Sequence, residues 1–384
     1  MARTVKGSPP RLDIDHVLET AKIVVCCGSG GVGKTTTAAA LALRAAERGR
    51  RTVVLTIDPA RRLAQSMGLT ELDNVPRAVK GVEVTGGGSL DAMMLDMKRT
   101  FDEIVEKHAD TGKAQAIFDN PFYQALSSSF AGTQEYMAME KLGQLRASGD
   151  YDLIVVDTPP TRSALDFLDA PERLTTFLDG RLVKVLLAPA KASGKAYLKV
   201  VTVGFNVFTN AITKIIGASV LQDLSQFVAA LETMFGGFRE RAQATYDLLK
   251  DPGTAFVVVA TPERDALREA SYFVERLATE QMPLAGLVVN RVHRSAAAGL
   301  TAQKSLAAAE ELDPTSLTAG VLRLHAERLA LSKREARLQE RFTSAHPKVP
   351  VVEVAAQPGD VHDLDGLRSV GADLGAGEEG SRPP

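Results

Sequence analysis

The sequence predicts an α/β fold built on a doubly wound, mostly parallel sheet with helices on both faces. Three observations carry that expectation: short β-branched runs recur along the chain, helix-like stretches separate them, and a glycine-rich turn joins the first run to the first helix. With 384 residues, 45% hydrophobic and 24% charged, the chain can bury a sizeable core, and disordered or fibrous classes are excluded for its bulk.

Taken in order, the runs that fit buried strands are Ile23 to Cys27, Thr52 to Ile57, Leu153 to Val156, Ala255 to Ala260, Leu284 to Val289 and Val349 to Val354. Thr35 to Arg48, ended by Gly49, and Glu263 to Leu277 read as crossover helices, which makes neighbouring strands parallel. Two long segments, about 97–148 and 171–249, carry no strand signal and are expected to form a helical insert subdomain. Within the second, Val201, Phe205, Phe208, Ile212, Ile215 and Ile216 recur every three or four residues. That face is either buried core or an exposed groove for a hydrophobic client. The uncharged stretch between Lys199 and Lys214 is too short to span a membrane. Val321 to Arg341 mixes Glu, Arg and Lys with Leu and Ala and reads as a solvated amphipathic helix. Residues 1–15 are expected to form a flexible N-terminus, 16–370 the folded domain and 371–384 a disordered tail, because both ends are rich in Gly, Pro and charge.

A formal net charge of -2 supplies no overall attraction to phosphate backbones, so nucleic acid is not an implied partner. Met1 to Pro10 lacks the apolar stretch of a secretory signal, and a cytoplasmic location is expected. The two cysteines, Cys26 and Cys27, are neighbours in a strand, where alternation sends their sulfurs to opposite faces. They read as small strand residues rather than a metal or redox pair.

The chemistry concentrates after the first strand. Gly28-Ser-Gly-Gly-Val-Gly-Lys-Thr35 satisfies G-x-x-x-x-G-K-[ST], and it follows a strand-like run and opens a helix-like one, which is the context a P-loop requires. Gly28, Ser29, Gly30, Gly31, Val32 and Gly33 form the loop whose N–H groups turn inward around phosphate oxygens, and the helix N-terminus adds partial positive charge. Lys34 offers a full charge to the β and γ phosphates, Thr35 a hydroxyl to Mg²⁺, and Thr36 a bond near the α-phosphate.

A parallel sheet brings its strand ends to one edge, so acids that follow other strands face the same crevice. Asp157 ends Leu-Ile-Val-Val-Asp, a Walker B arrangement in which a carboxylate holds Mg²⁺ directly or through water; a helix cap is its alternative role. Asp58 lies in Thr-Ile-Asp-Pro-Ala, where it either orients the attacking water or is a turn residue before Pro59.

Over most of its length the chain resembles the ArsA-type ATPases, which include arsenite-pump ATPases and the GET-pathway factor that targets tail-anchored membrane proteins. That family shows a deviant P-loop GKGGVGKT, a TDPA switch I and a DTAPTGH switch II; the counterparts are GSGGVGKTT at Gly28 to Thr36, TIDPA at Thr56 to Ala60 and DTPPTRS at Asp157 to Ser163. The resemblance implies ATP and Mg²⁺ as cofactors, Asp58 as the catalytic, water-positioning residue and Asp157 as the sensor of γ-phosphate and magnesium. Asn290, in Leu-Val-Val-Asn-Arg, matches the adenine-reading position, where an amide serves as donor and acceptor. The segment from Val349 on to Gly359 resembles the one that covers the base.

Three departures stand beside these matches. Ser29 replaces the family's signature lysine, which resembles an arginine finger supplied across a dimer; Arg162 and Ser163 replace its switch II Gly and His; and Cys26 and Cys27 cannot assemble either a metalloid-binding thiol set or a CxxC zinc clasp. The resemblance thus implies an ATP-hydrolysing switch that handles or targets a hydrophobic or membrane-protein client. It would act as a homodimer or as a heterodimer with a signature-lysine paralogue, in the cytoplasm or peripheral to a membrane through a partner. The alternatives are an anion (arsenite-type) pump subunit, a chromosome- or division-site-positioning ATPase, and a non-catalytic ATP-binding partner in a heterodimer.

Overall fold

The computed structural model describes residues 9–58, 62–84, 86–108, 111–121, 123–124, 127, 133–159, 240–241, 243–295, 297 and 299–375. The chain divides into two compact units, one of Met1–Met94, Ser148–Leu165 and Leu249–Pro384, the other of Leu95–Ala147 and Asp166–Leu248.

The first unit holds an eight-stranded sheet: β1 (Ile23–Cys27), β2 (Arg51–Thr56), β3 (Arg77–Ala78), β4 (Ser89–Met94), β5 (Leu153–Asp157), β6 (Thr254–Ala260), β7 (Leu284–Val292) and β8 (Val351–Ala355). Their spatial order is β3-β4-β2-β5-β1-β6-β7-β8, and every pairing is parallel except β3 with β4. The first strand therefore lies between β5 and β6, in the middle of the sheet. Every residue of β1, β5 and β6 is buried, the burial on both faces that a covered parallel sheet imposes and that the Val/Ile-rich runs anticipate. The register sets Cys26 beside both Asp157 and Val257, and Thr56 beside Asp157, so the C-terminal ends of β1, β2, β5 and β6 share one edge.

The unit's helices are α1 (Ile14–Thr20), α2 (Lys34–Glu47), α3 (Arg62–Ser66), α7 (Arg264–Thr279), α8 (Ala302–Glu310), α9 (Leu317–Ala345) and α10 (Leu364–Gly375). Ten alanine, leucine, threonine and lysine positions of α2 are buried, and the helix packs on β2, β5 and β1. It is small-residue-rich because it runs close to the sheet. Asp13 caps α1 by accepting from the His16 N–H at 3.0 Å, and Ser316 caps α9 by accepting from the Ala319 N–H at 3.2 Å.

The structure departs from the sequence expectations at several places. Two strands, β3 and β4, were not anticipated: Ser-Leu-Asp-Ala-Met-Met lacks β-branched residues, yet it pairs with β2 along six residues. Residues 9–15 are not a loose N-terminus, because Arg11 bridges to Val351, the Leu12 N–H donates to the Val351 carbonyl at 3.1 Å, and Leu12 is buried. Nor does the C-terminal tail begin at Gly371; α10 runs to Gly375 and buries Gly371 and Leu374. The amphipathic helix proves longer than Val321 to Arg341, and it is not wholly solvated: Glu335 is buried and accepts from the His293 backbone N–H at 2.9 Å.

In the second unit α4 (Met97–His108), α5 (Thr111–Phe118) and α6 (Thr133–Ser148) are helical. The buried Tyr123 hydroxyl donates to Asp102 at 2.7 Å, and Lys141 meets Glu103 at 2.9 Å. The apolar face from Val201 to Ile216 lies outside the described residues, as does most of the expected insert at 171–249. Among the described residues, no helix is long and apolar enough to cross a membrane.

Candidate functional site

The site grows out of the end of β1. Gly28 has φ +150°, and a Cβ there would lie 2.1 Å from the Val259 carbonyl oxygen, so the chain can leave β1 against β6 only as glycine. The loop then closes on α2 through Gly33, which caps the helix at φ +92° without any side-chain cap bond. Unsatisfied N–H groups of the first turn consequently point into the loop, together with the positive end of the helix dipole. This is an anion cradle made by backbone.

Lys34 starts α2 and is 5% exposed. Its Nζ donates to the Ser29 carbonyl at 2.8 Å, which stretches the ammonium across the loop. Burial lowers the Lys34 pKa, while the negative charge of Asp157 works the other way. An ammonium held in so little water is a stronger partner for phosphate than one on the surface.

Beside it, Asp157 is fully buried at the end of β5. Its Oδ2 accepts from the Thr35 hydroxyl at 2.7 Å and from the Thr56 hydroxyl at 2.9 Å, whereas Oδ1 is buried with no hydrogen-bond partner among the described residues. Burial pushes the carboxyl up to about 6, against the pull of those two hydroxyls and of Lys34. An orphaned buried oxygen beside a threonine hydroxyl is the donor set that a hard divalent cation takes, so Thr35 and Asp157 fit Mg²⁺.

Thr56 links this carboxylate to the next segment. Its Oγ1 also accepts from the Asp58 N–H at 3.2 Å, so one hydroxyl ties Asp157 to the backbone of Asp58. Thr56 does not stand out in the sequence, because a threonine ending a strand reads as an ordinary β-former; its only signal is its place at the start of Thr-Ile-Asp-Pro-Ala. Pro59 and Ala60, and the switch II positions Arg162 and Ser163, lie outside the described residues.

Asn290 reaches the loop from β7. Its Nδ2 donates to the Val32 carbonyl at 2.9 Å, and its Oδ1 accepts from the Arg291 N–H at 2.9 Å. The structure thus gathers Gly28 to Thr36, Thr56, Asp58, Asp157 and Asn290 at one edge of the sheet. Cys26 and Cys27, by contrast, are buried within β1, and burial pushes the Cys26 thiol well above its ordinary range and the Cys27 thiol up to about 12. Neither offers a thiolate to a soft ligand. No group of three or more His, Cys, Asp and Glu residues that could hold a metal ion occurs among the described residues.

Sequence comparison decides the family: the model of the ArsA anion-transporting ATPases matches residues 21–308, most of the chain and every residue of this edge. The chain belongs to that family. Similar proteins carry consistent names. This ArsA-family chain is 33% identical over 168 residues to an ATPase GET3 of Malassezia globosa, covering 44% of the chain and 48% of that relative. It therefore spans about half the length of that protein, at 48%. Longer alignments reach an ATPase ASNA1 homolog of Cryptosporidium parvum, at 29% identity over 284 residues, 74% of the chain and 68% of the relative. Another reaches an ATPase get3 of Schizosaccharomyces japonicus, at 27% over 285 residues, 73% of the chain and 78% of the relative. Membership makes the chain an ATP-binding, ATP-hydrolysing protein.

Proposed function

We propose that the chain is a nucleotide-driven switch in which MgATP, seated in the Gly28–Thr36 cradle, orders the Asp58 and Asp157 segments and hydrolysis releases them. The observation that carries this reading is the single carboxylate oxygen of Asp157 shared by Thr35 and Thr56, since it joins the P-loop, switch I and the end of β5 through two hydrogen bonds. Thr35 and Asp157 would hold Mg²⁺, which when bound supplies positive charge against the phosphate oxygens. Lys34 leaves the Ser29 carbonyl for the β and γ phosphates. Asp58, anchored through its N–H on Thr56, turns the attacking water, and Asn290 reads the adenine. Calorimetry with MgATP tests the reading: heat that requires magnesium and disappears in Lys34→Ala is expected, and heat that survives that substitution contradicts it.

The client of this switch is a hydrophobic or membrane-protein segment, and the protein works in the cytoplasm, reaching the membrane through its partner. Support comes from the resemblance and from the apolar periodicity of Val201 to Ile216. A photo-crosslinkable apolar peptide should label positions 205 and 208 in a nucleotide-dependent way; no labelling in any nucleotide state removes the assignment. Because Ser29 lacks the signature lysine's charge, the active assembly is a slow homodimer or a heterodimer with a lysine-bearing paralogue. Rapid turnover of the pure chain would refute that pairing.

An anion-pump subunit is a second reading, favoured by the family's description. The buried, protonated Cys26 and Cys27 oppose a thiol-bound metalloid as the transported anion. Arsenite should not stimulate hydrolysis.

A further inference from the structure

Asn290 does more in this geometry than face a base. The strand β7 carries a register irregularity against β8 between Val289 and Val292, and inside it Arg291 adopts φ +60°, a left-handed conformation uncommon for a residue with a side chain. Bulges of this kind re-aim a side chain beside a functional site. Here the side chain that is re-aimed is Asn290, 8% exposed and held at both ends: Oδ1 accepts from the Arg291 N–H and Nδ2 donates to the Val32 carbonyl, each at 2.9 Å. These two bonds fix which end of the amide is nitrogen.

The carbonyl it grips belongs to the Val32–Gly33 peptide. A trans peptide is planar, so its C=O and the following N–H point in opposite directions. Drawing the Val32 oxygen toward β7 therefore turns the Gly33 N–H away from β7. That N–H has no hydrogen-bond partner among the described residues. Gly33 lies at φ +92°, where any side chain is strained, and a Cβ there would also displace the Asn290 amide.

We propose that Asn290 is a positioning residue for the phosphate cradle: it sets the Val32–Gly33 peptide so that the Gly33 N–H serves as a fixed anion donor, independently of any contact with adenine. This inference rests on the reading of the loop as a phosphate site. It separates the residue's two roles by chemistry, since inorganic tripolyphosphate has the phosphates and lacks the base.

Calorimetric titration of the full chain with magnesium tripolyphosphate tests it, with the wild type, Lys34→Ala and Asn290→Ala compared. Asn290→Ala should weaken tripolyphosphate by about tenfold, the loss expected when a charge-assisted donor is no longer held in place. If Lys34→Ala abolishes binding while Asn290→Ala binds tripolyphosphate as the wild type does, the inference is overturned and the phosphate reading stands. If the wild type binds no tripolyphosphate, both fall. A measurement on the wild type alone covers failure of Asn290→Ala to fold: the Gly33 amide proton resonance should move downfield on adding magnesium tripolyphosphate, and a Gly33 signal that does not move overturns the inference.

Discussion

The Thr35 hydroxyl donates to Asp157 Oδ2 at 2.7 Å, so the two residues suited to hold a divalent cation hold each other. Thr56 takes a second position on the same oxygen at 2.9 Å, and Oδ1 stays without a partner among the described residues. Buried ionised carboxylates left half-satisfied are costly, and the cost has a pH signature.

That signature can be measured. In the fold the Asp157 carboxyl is raised from 3.8 to about 6, chiefly by burial. Between those values the folded chain keeps a proton that the unfolded chain has lost, so this group's contribution to stability is fully present below the lower value and lost as pH rises through the upper one. Above it the penalty is about 3 kcal/mol. In EDTA and without nucleotide, Asp157→Asn should melt higher than the wild type at about pH 8 and level with it near about pH 4. An equal gap at both pH values would contradict the assignment.

Thr56 should behave as a connector between two segments. Thr56→Val keeps the shape and removes the hydroxyl that serves both Asp157 and the Asp58 N–H. Turnover should drop by about tenfold with little change in KM for ATP, whereas Thr56→Ser should stay within about twofold of the wild type. Wild-type turnover in Thr56→Val would show the link to be idle.

Glycine substitutions in the loop should rank by space rather than by φ alone. Gly28 and Gly31 both have positive φ, but a Cβ at Gly28 meets the Val259 carbonyl at 2.1 Å and one at Gly31 meets nothing within 4 Å. Gly28→Ala should cost about 3 kcal/mol or more and Gly31→Ala about 1 kcal/mol in denaturant unfolding without nucleotide. Equal losses would refute the close approach of the loop to β6.

Ser29 offers a gain-of-function test. Its backbone carbonyl, not its side chain, engages Lys34, so Ser29→Lys leaves that contact available while adding the missing charge. If the chain works as a homodimer, turnover of Ser29→Lys should rise by about 10³-fold, the lower end of an arginine-finger effect. Unchanged turnover at every protein concentration would remove the finger argument.

Much of the fold could be read from the residues because it rests on local patterns. The runs Ile23 to Cys27 and Leu153 to Val156 are buried on both faces and therefore continuous in apolar character, and Gly33 and Lys34 mark the start of α2 by their chemistry. The strand β4 could not be read, since Ser89–Met94 becomes a strand only by filling the edge of β2. Arg11 and Leu12 likewise look like tail residues until Val351 is beside them. Glu335 looked solvated for the same reason: its partner, His293, lies 42 positions away along the chain.

The order of amino acids settled which groups this protein possesses: a loop able to present amides to phosphate, a lysine, two threonine hydroxyls and two aspartates, because backbone freedom at glycine and side-chain chemistry belong to single residues. Which of those groups meet was decided by the parallel register, which carries Thr56 to Asp157, and by the irregularity in β7, which carries Asn290 to Val32. Hydrogen bonds act over about 3 Å, and only packing brings distant parts of a chain within that reach.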